Sequence, residues 1–225
     1  MKRAERDIDP PGRLSKERVL RAAVALADRD GIESLTMRKL ADELGAGAMS
    51  LYYHVPNKDH LVDGMVDIVF SEIDLPSTDV DWKTAMRRRA LSTREALARH
   101  PWAVGWMESR LRPGPASLRL RNAVLGCLRE AGFSIEMAIQ AYSVQDAYIY
   151  GFALQEKTVP FETPEESAAV VELQAAQLPS LAEDYPYLAE VVVGHVGSLG
   201  YDFAQAFEFG LDVILDGLET LRDPT

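Results

Sequence analysis

A single cysteine, Cys127, stands in the whole 225-residue chain. An internal disulfide is therefore excluded, and a reducing compartment is the natural one. No run of about 18 apolar residues occurs, so no membrane-spanning helix is expected. The opening MKRAERDIDPPGR lacks the apolar centre of a secretory signal, which with the lone cysteine predicts a cytoplasmic protein. The four histidines, His54, His60, His100 and His195, share no metal-ligand spacing, and H-E-x-x-H is missing. The run Gly194–Gly200 matches neither a phosphate loop nor a G-x-S-x-G turn. Neither a metal site, a cofactor nor a catalytic residue is expected, and the many carboxylates read as solvated helix faces. No stretch alternates with period two for long enough to be a strand, and no internal repeat is found. What remains is an all-α protein with 47% hydrophobic and 26% charged residues.

The most informative stretch is residues 36–58, TMRKLADELGAGAMSLYYHVPNK. Met37, Leu40, Ala41 and Leu44 recur with helical spacing, and Thr36 stands where a hydroxyl can cap the first turn. Gly45, Ala46 and Gly47 break the pattern, as a tight turn requires. In the second helix only Leu51, with Val55 just beyond it, points to a core. Ala48, Met49, Ser50, Tyr52, Tyr53 and His54 are left on a small and aromatic outer face that fits a groove better than bulk water. This is a helix-turn-helix with 48–54 as its reading helix. Ser15 is placed to cap a supporting helix whose inner face carries Val19, Ala22, Ala23, Leu26 and Ala27. Asn57 caps a further helix over 57–74, with Leu61, Met65, Ile68 and Val69 as its stripe. Lys58 and the free N–H groups at its start form an anion site suited to a backbone phosphate.

The net charge of −11 fits this reading once it is divided. Residues 1–58 hold 11 Lys+Arg and 9 Asp+Glu, whereas 59–225 hold 13 and 26. An acidic body repels DNA and leaves contact to one oriented face. Residues 1–13 form a polar arm stopped by Pro10-Pro11-Gly12, read as disordered. Its Lys2, Arg3, Arg6 and Arg13 could enter a minor groove, although Glu5, Asp7 and Asp9 make a solvated tail the simpler reading.

Thr36 to Lys58, with Leu51-Tyr52-Tyr53-His54-Val55-Pro56-Asn57-Lys58, resembles the DNA-binding domain of the tetracycline-repressor (TetR) family. Phe207–Asp212 and Gly217-Leu218-Glu219 resemble the last helix of the tetracycline repressors, and Gly132-Phe133-Ser134 is fainter support. The resemblance implies a three-helix DNA-binding domain over 14–60 and a helical effector-binding and dimerisation domain over 61–225. It implies that Thr36, Arg38, Tyr52, Tyr53, His54 and Lys58 lie at phosphates or nearby base edges, and that Gly47, Ala48 and Ser50 face bases. Ala48 offers only a methyl group where the family often has a longer polar side chain, so Ala48 and Met49 are expected to meet thymine methyls. The partners so implied are a double-stranded DNA operator, a second copy of the chain and a small-molecule effector.

In the body, helices are expected over 82–99, 102–110, 114–131, 134–156, 165–178, 186–193 and 201–221. Pro76 and Ser77–Asp81 mark a boundary, and Gly194, Gly197 and Gly200 a mobile connection. An aromatic or polycyclic effector is assigned to Met86, Trp102, Trp106, Met107 and Tyr142, joined by Phe133 and Tyr148, with Arg89, Thr93, Gln145 and Asp146 as polar contacts. An aromatic-rich core is the plainer reading for any one of them. Aligned by resemblance with the tetracycline repressors, Asp74, Arg89, Thr93 and Met107 replace ligand-binding positions, including a metal-side histidine. Tetracycline with magnesium is therefore not the expected effector.

Ala204, Phe207, Leu211, Ile214, Leu218 and Leu221 trace a heptad seam along the last helix, with Gly210 and Gly217 on one side. Phe207, Leu211, Ile214 and Leu218, with Ile149 and Phe152 of the 134–156 helix, are assigned by resemblance to a four-helix dimer interface. Burial within one subunit is the alternative. Two rival functions remain: a helical protein-interaction module, or an activator without a small effector. An enzyme is the least supported class.

Overall fold

The computed structural model describes residues 14–161, 163–177, 181–192 and 201–222. The sequence-based expectations for residues 1–13 and 194–200 fall outside them. Among the described residues the chain is helical without strands: α1 (Lys16–Asp30), α2 (Met37–Leu44), α3 (Ala48–His54), α4 (Lys58–Ser71), α5 (Trp82–Arg99), α6 (Pro115–Glu130), α7 (Ile135–Thr158), α8 (Pro164–Gln177), α9 (Leu181–Asp184), α10 (Pro186–Val191) and α11 (Phe203–Thr220). Short 3-10 turns lie at Ile32–Ser34 and Pro101–Ala103. Side-chain caps set most starts. Ser15 accepts from the Arg18 N–H, Asp81 from Thr84, Ser134 from Met137, and Asp202 from Ala204 and Gln205.

The expected 102–110 helix is replaced by the 3-10 turn and a series of turns. Gly105 weakens helix formation there, and the Ser109 hydroxyl donates to the carbonyls of Gly105 and Trp106. The four-residue helix α9 carried no sequence signal.

The backbone packs as two compact units, one ending at Ala131 and the other beginning at Gly132. This division differs from the one drawn at residue 60. The first unit holds α1–α6, so the helix-turn-helix and the first helices of the body share one packing unit. Its centre is α4, which buries Leu61, Val62, Met65, Val66, Val69 and Phe70 over a face wide enough to meet both α1 and α6. In the second unit α7 and α11 pack together. Phe207 stacks on Tyr148 with ring centroids 5.4 Å apart and meets Phe152 edge-on at 5.1 Å. Gly210 leaves the space that the Tyr148 ring occupies, and the Tyr148 hydroxyl donates to the Phe207 carbonyl at 2.9 Å.

One joint in the first unit has no precursor in local sequence. Helix α6 begins at Gly114-Pro115 without a side-chain cap of its own. Its cap is Asp67 of α4, whose Oδ1 accepts the N–H groups of Ala116 at 2.9 Å and Ser117 at 3.0 Å. A Cβ at position 114 would run into the Asp67 carboxylate, so glycine permits the approach. Asp67→Ala is expected to cost about 1–2 kcal/mol, as lost caps do, and Asp67→Asn less, because an amide oxygen still accepts. Urea unfolding of the three proteins checks the order.

Candidate nucleic-acid interface

The α2–turn–α3 unit is built from local chemistry. Thr36 caps α2 by accepting from the Lys39 N–H at 3.1 Å. At its end Gly45 adopts φ 60°, the left-handed conformation that ends helices, and the next N–H, on Ala46, returns to the Ala41 carbonyl. Leu51 alone of α3 is buried, and Val55 anchors the residue after it. Met49 is 82% exposed and Tyr53 89%, while Ala48, Ser50 and Tyr52 also face out and His54 is half-buried. The Tyr53 and His54 rings meet edge-on at 5.3 Å. Gly47, Thr36, Arg38 and Lys58 are exposed as well. An isolated helix of seven residues would not persist in water, so this apolar outer face is held up by the packing beneath it.

That support includes charges. Lys39, the neighbour of Arg38, is committed to Asp30 at 2.9 Å and holds its carboxyl below the usual range. Arg29 pairs with Glu43 at 3.1 Å, tying the end of α1 to α2. These pairs are solvent-exposed and orient more than they stabilise.

Helix α4 starts at the expected anion site. The Asn57 Oδ1 accepts from the His60 N–H at 2.9 Å and lies 2.8 Å from the His60 Nδ1. Arg112 donates to the His60 Nε2 at 3.0 Å, which places the ring proton on Nδ1, toward Asn57. Farther along, Asp63 receives Arg110 at 2.6 Å. With Asp67 capping α6, α4 is fastened along one side at residues 60, 63 and 67 by the segment 110–117. Sequence reading missed this fastening. Its one available signal was the α6 start, which lacks a Ser, Thr, Asp or Asn cap.

Residues 19–65 match the family described as Bacterial regulatory proteins, tetR family, and residues 75–222 match the Tetracyclin repressor-like, C-terminal domain. The chain belongs to the TetR family. The HTH-type transcriptional repressor DrrR1 of Streptomyces coeruleorubidus is 35% identical over 219 residues, covering 94% of this chain and 80% of that protein. The class A tetracycline repressor of Escherichia coli is 32% identical over 213 residues, 93% of each chain. The Streptomyces coelicolor TetR family protein ActR, crystallised in complex with actinorhodin, superposes with a TM-score of 0.77 at 26% identity, covering 94% of this chain and 100% of that one. As a TetR family member the chain is a ligand-responsive DNA-binding regulator that works as a dimer.

For this TetR family chain, the residues assigned to the effector fall in both units. In the first, Met86, Arg89 and Thr93 share one buried face of α5, and Trp102 and Met107 are buried. Two of the expected contacts are already used. The Thr93 hydroxyl donates to the Arg89 carbonyl at 2.8 Å, and the Trp102 Nε1–H donates to Asp28 of α1 at 2.7 Å. Trp106 is half-buried under the Arg110 guanidinium, 5.5 Å from the ring centre. A narrow cleft beside α4 is lined by Asp63, Asp67, Arg110 and Arg121, and of the expected effector residues by Met107 alone. In the second unit, Tyr142 is half-buried, and Gln145 and Asp146 are buried. Among the described residues, the Gln145 amide has no hydrogen-bond partner.

The residues assigned to the dimer interface are placed differently from expectation. Ile149, Phe152, Phe207, Leu211 and Leu218 are buried within one protomer, and Ile214 is half-buried. The heptad seam is the face that α11 turns toward α7. A heptad pattern says that a face is covered, and does not say whether the cover is the same chain. The faces left open carry Ser143, Ala147, Gly151 and Leu154 on α7 and Phe209, Val213 and Gly217 on α11, with Phe209 72% and Val213 58% exposed.

Proposed function

We propose that the chain is a repressor whose dimer seats two copies of α3 in successive major grooves of a near-palindromic operator and leaves the DNA when a small aromatic effector binds. The observation that carries this reading is the outer face of α3, where Met49, Tyr52 and Tyr53 stand exposed over a single buried Leu51. Tyr52, Tyr53, His54, Arg38, Thr36 and Lys58 take the phosphates and nearby base edges. Gly47, Ala48, Met49 and Ser50 take the base edges, mainly through apolar contacts to thymine methyls. Thr36 caps α2 with an oxygen lone pair, so its hydroxyl proton stays available for a phosphate.

The dimer forms through the open faces of α7 and α11. Gly151 and Gly217 support this choice, because among the described residues nothing stands within 4 Å of a Cβ added at either. On the effector side, the enclosed Gln145 amide is the polar anchor. Buried amides are nearly always satisfied, and a ligand offering both a donor and an acceptor would satisfy this one. The similar chain ActR has been crystallised with a ligand of its own, actinorhodin. A tetracycline–magnesium complex is not the expected inducer. The protein works in the cytoplasm and has no catalytic activity. Among the described residues no helix is long and apolar enough to cross a membrane.

Lys58→Ala tests the phosphate assignment. Operator affinity should fall by a similar factor on all sequences, and the salt dependence should become shallower by about one ion. Fluorescence anisotropy with DNA from beside the protein's own gene, run across salt concentrations, reads both. A Ser50 substitution should instead change which sequence is preferred, which the same assay with shuffled sites reads.

A further inference from the structure

At the point where α1, the end of α4 and the end of α5 meet, an imidazole lies between two carboxylates from different helices. His100 is only 7% exposed. Its Nδ1 is 2.8 Å from the Asp28 Oδ1 of α1, and its Nε2 is 3.2 Å from the Glu72 Oε2 at the end of α4. The Trp102 indole N–H donates to the same Asp28 oxygen at 2.7 Å, and Arg99 donates to Glu72 through Nη2 at 2.8 Å. Among the described residues, the charged groups facing the ring are therefore Asp28 from α1 and Glu72 from α4, with Arg99 of α5 acting through Glu72.

A neutral imidazole has one N–H and one lone pair. With a carboxylate oxygen beside each nitrogen, it can keep one contact and must turn a lone pair toward the other. Only the protonated ring donates to both. Two carboxylates against Arg99 and a protonated His100 also leave the cluster neutral in sum. Burial pushes the Glu72 carboxyl up, but hydrogen bonds from Arg99 and His100 outweigh it, and the net direction is below the usual value. Glu72 therefore remains an anion through mildly acidic pH, and its contribution is lost only as pH falls further.

We propose that the Asp28–His100–Glu72 cluster is a proton-held joint between the first helix of the reader and the helix that carries it, so that loss of the His100 proton weakens operator binding. The ligand of this site is the proton, and the input is separate from the effector. Opening the joint frees α1 at its C-terminal end from α4 and α5, and the reader must then be ordered again at each binding event. The proposal rests on the DNA-binding reading and adds a second control to it.

The test uses the full chain and DNA from beside its own gene, at constant salt, at about pH 6 and about pH 8.5, a span across which a histidine changes charge. The wild type should lose about tenfold more affinity over this interval than His100→Gln, whose residual slope reports every other group in the protein and the DNA. Parallel slopes for the two proteins would overturn the proposal. Nitrogen-15 spectra of the wild-type histidine rings give a reading that needs no variant. Both His100 ring nitrogens should carry protons at the lower pH, and a neutral ring there would equally overturn the joint. Should no DNA bind at either pH, the regulator reading fails, while the ring signals still decide the joint.

Discussion

Gly151→Arg leaves the protein folded, turns the dimer into monomers and lowers operator affinity by at least about 100-fold. The fold should tolerate it because position 151 is exposed on α7 and, among the described residues, nothing is in contact range of an added Cβ. Arginine is also the better helix former, by up to about 1 kcal/mol. In the dimer proposed above, the same position is where two copies of α7 would approach. A guanidinium buried there without a partner costs several kcal/mol, enough to separate the protomers at working concentrations. Each lone reader then binds without the gain of linkage, a loss on the order of 10²–10⁴ in affinity. Sedimentation equilibrium and anisotropy on the same sample read the two effects. Gly210→Arg is the contrast, since its side chain would meet the Tyr148 ring inside the protomer and should unfold the protein. If Gly151→Arg remains dimeric, the open face of α7 is not the interface.

Phe207→Ala is expected to remove about 3–5 kcal/mol of stability, the usual range for deleting a buried phenyl ring. Phe207 is fully enclosed, stacked on Tyr148 and edge-on to Phe152, and so links α7 to α11. Dimer stability depends on concentration, which would blur the reading. The variant is therefore best compared with its parent in the Gly151→Arg background by urea unfolding. A full loss in that monomeric background places Phe207 in the protomer core. A loss seen only in the dimeric background would return it to the interface, where the resemblance had put it.

The reader was legible because its chemistry is local. Thr36 caps the helix that starts at the next residue by accepting an N–H three residues on, Gly45 ends that helix, and the apolar stripe leaves Leu51 as the only inward residue of α3. Each inference needs a window shorter than about ten residues. The body was legible as helices, and the boundaries of α5 and α7 fall close to expectation because Asp81 and Ser134 stand at their starts. Partners separated by tens of residues were not legible. Asp67 caps a helix that begins 48 residues later, at Pro115, and nothing around Asp67 sets it apart from a solvated carboxylate. Trp102 looked like a pocket residue by type and neighbourhood, yet its N–H is bonded to Asp28 of α1. Of the heptad seam of α11, Phe207, Leu211 and Leu218 are buried within the protomer and Ile214 is half-buried, while Ala204 and Leu221 at its ends are exposed. Gly210 and Gly217 look alike in sequence, and only packing separates the one that admits Tyr148 from the one that faces out.

The central claim is that α3 reads DNA and that the dimer presents it twice. Dimethyl sulfate protection of the DNA beside the gene probes guanine in the major groove directly. The account predicts two protected major-groove patches about 34–36 Å apart, one helical turn, arranged with two-fold symmetry. Protection of a single patch, or a shift in mobility with no major-groove protection at a guanine-containing site, would contradict it.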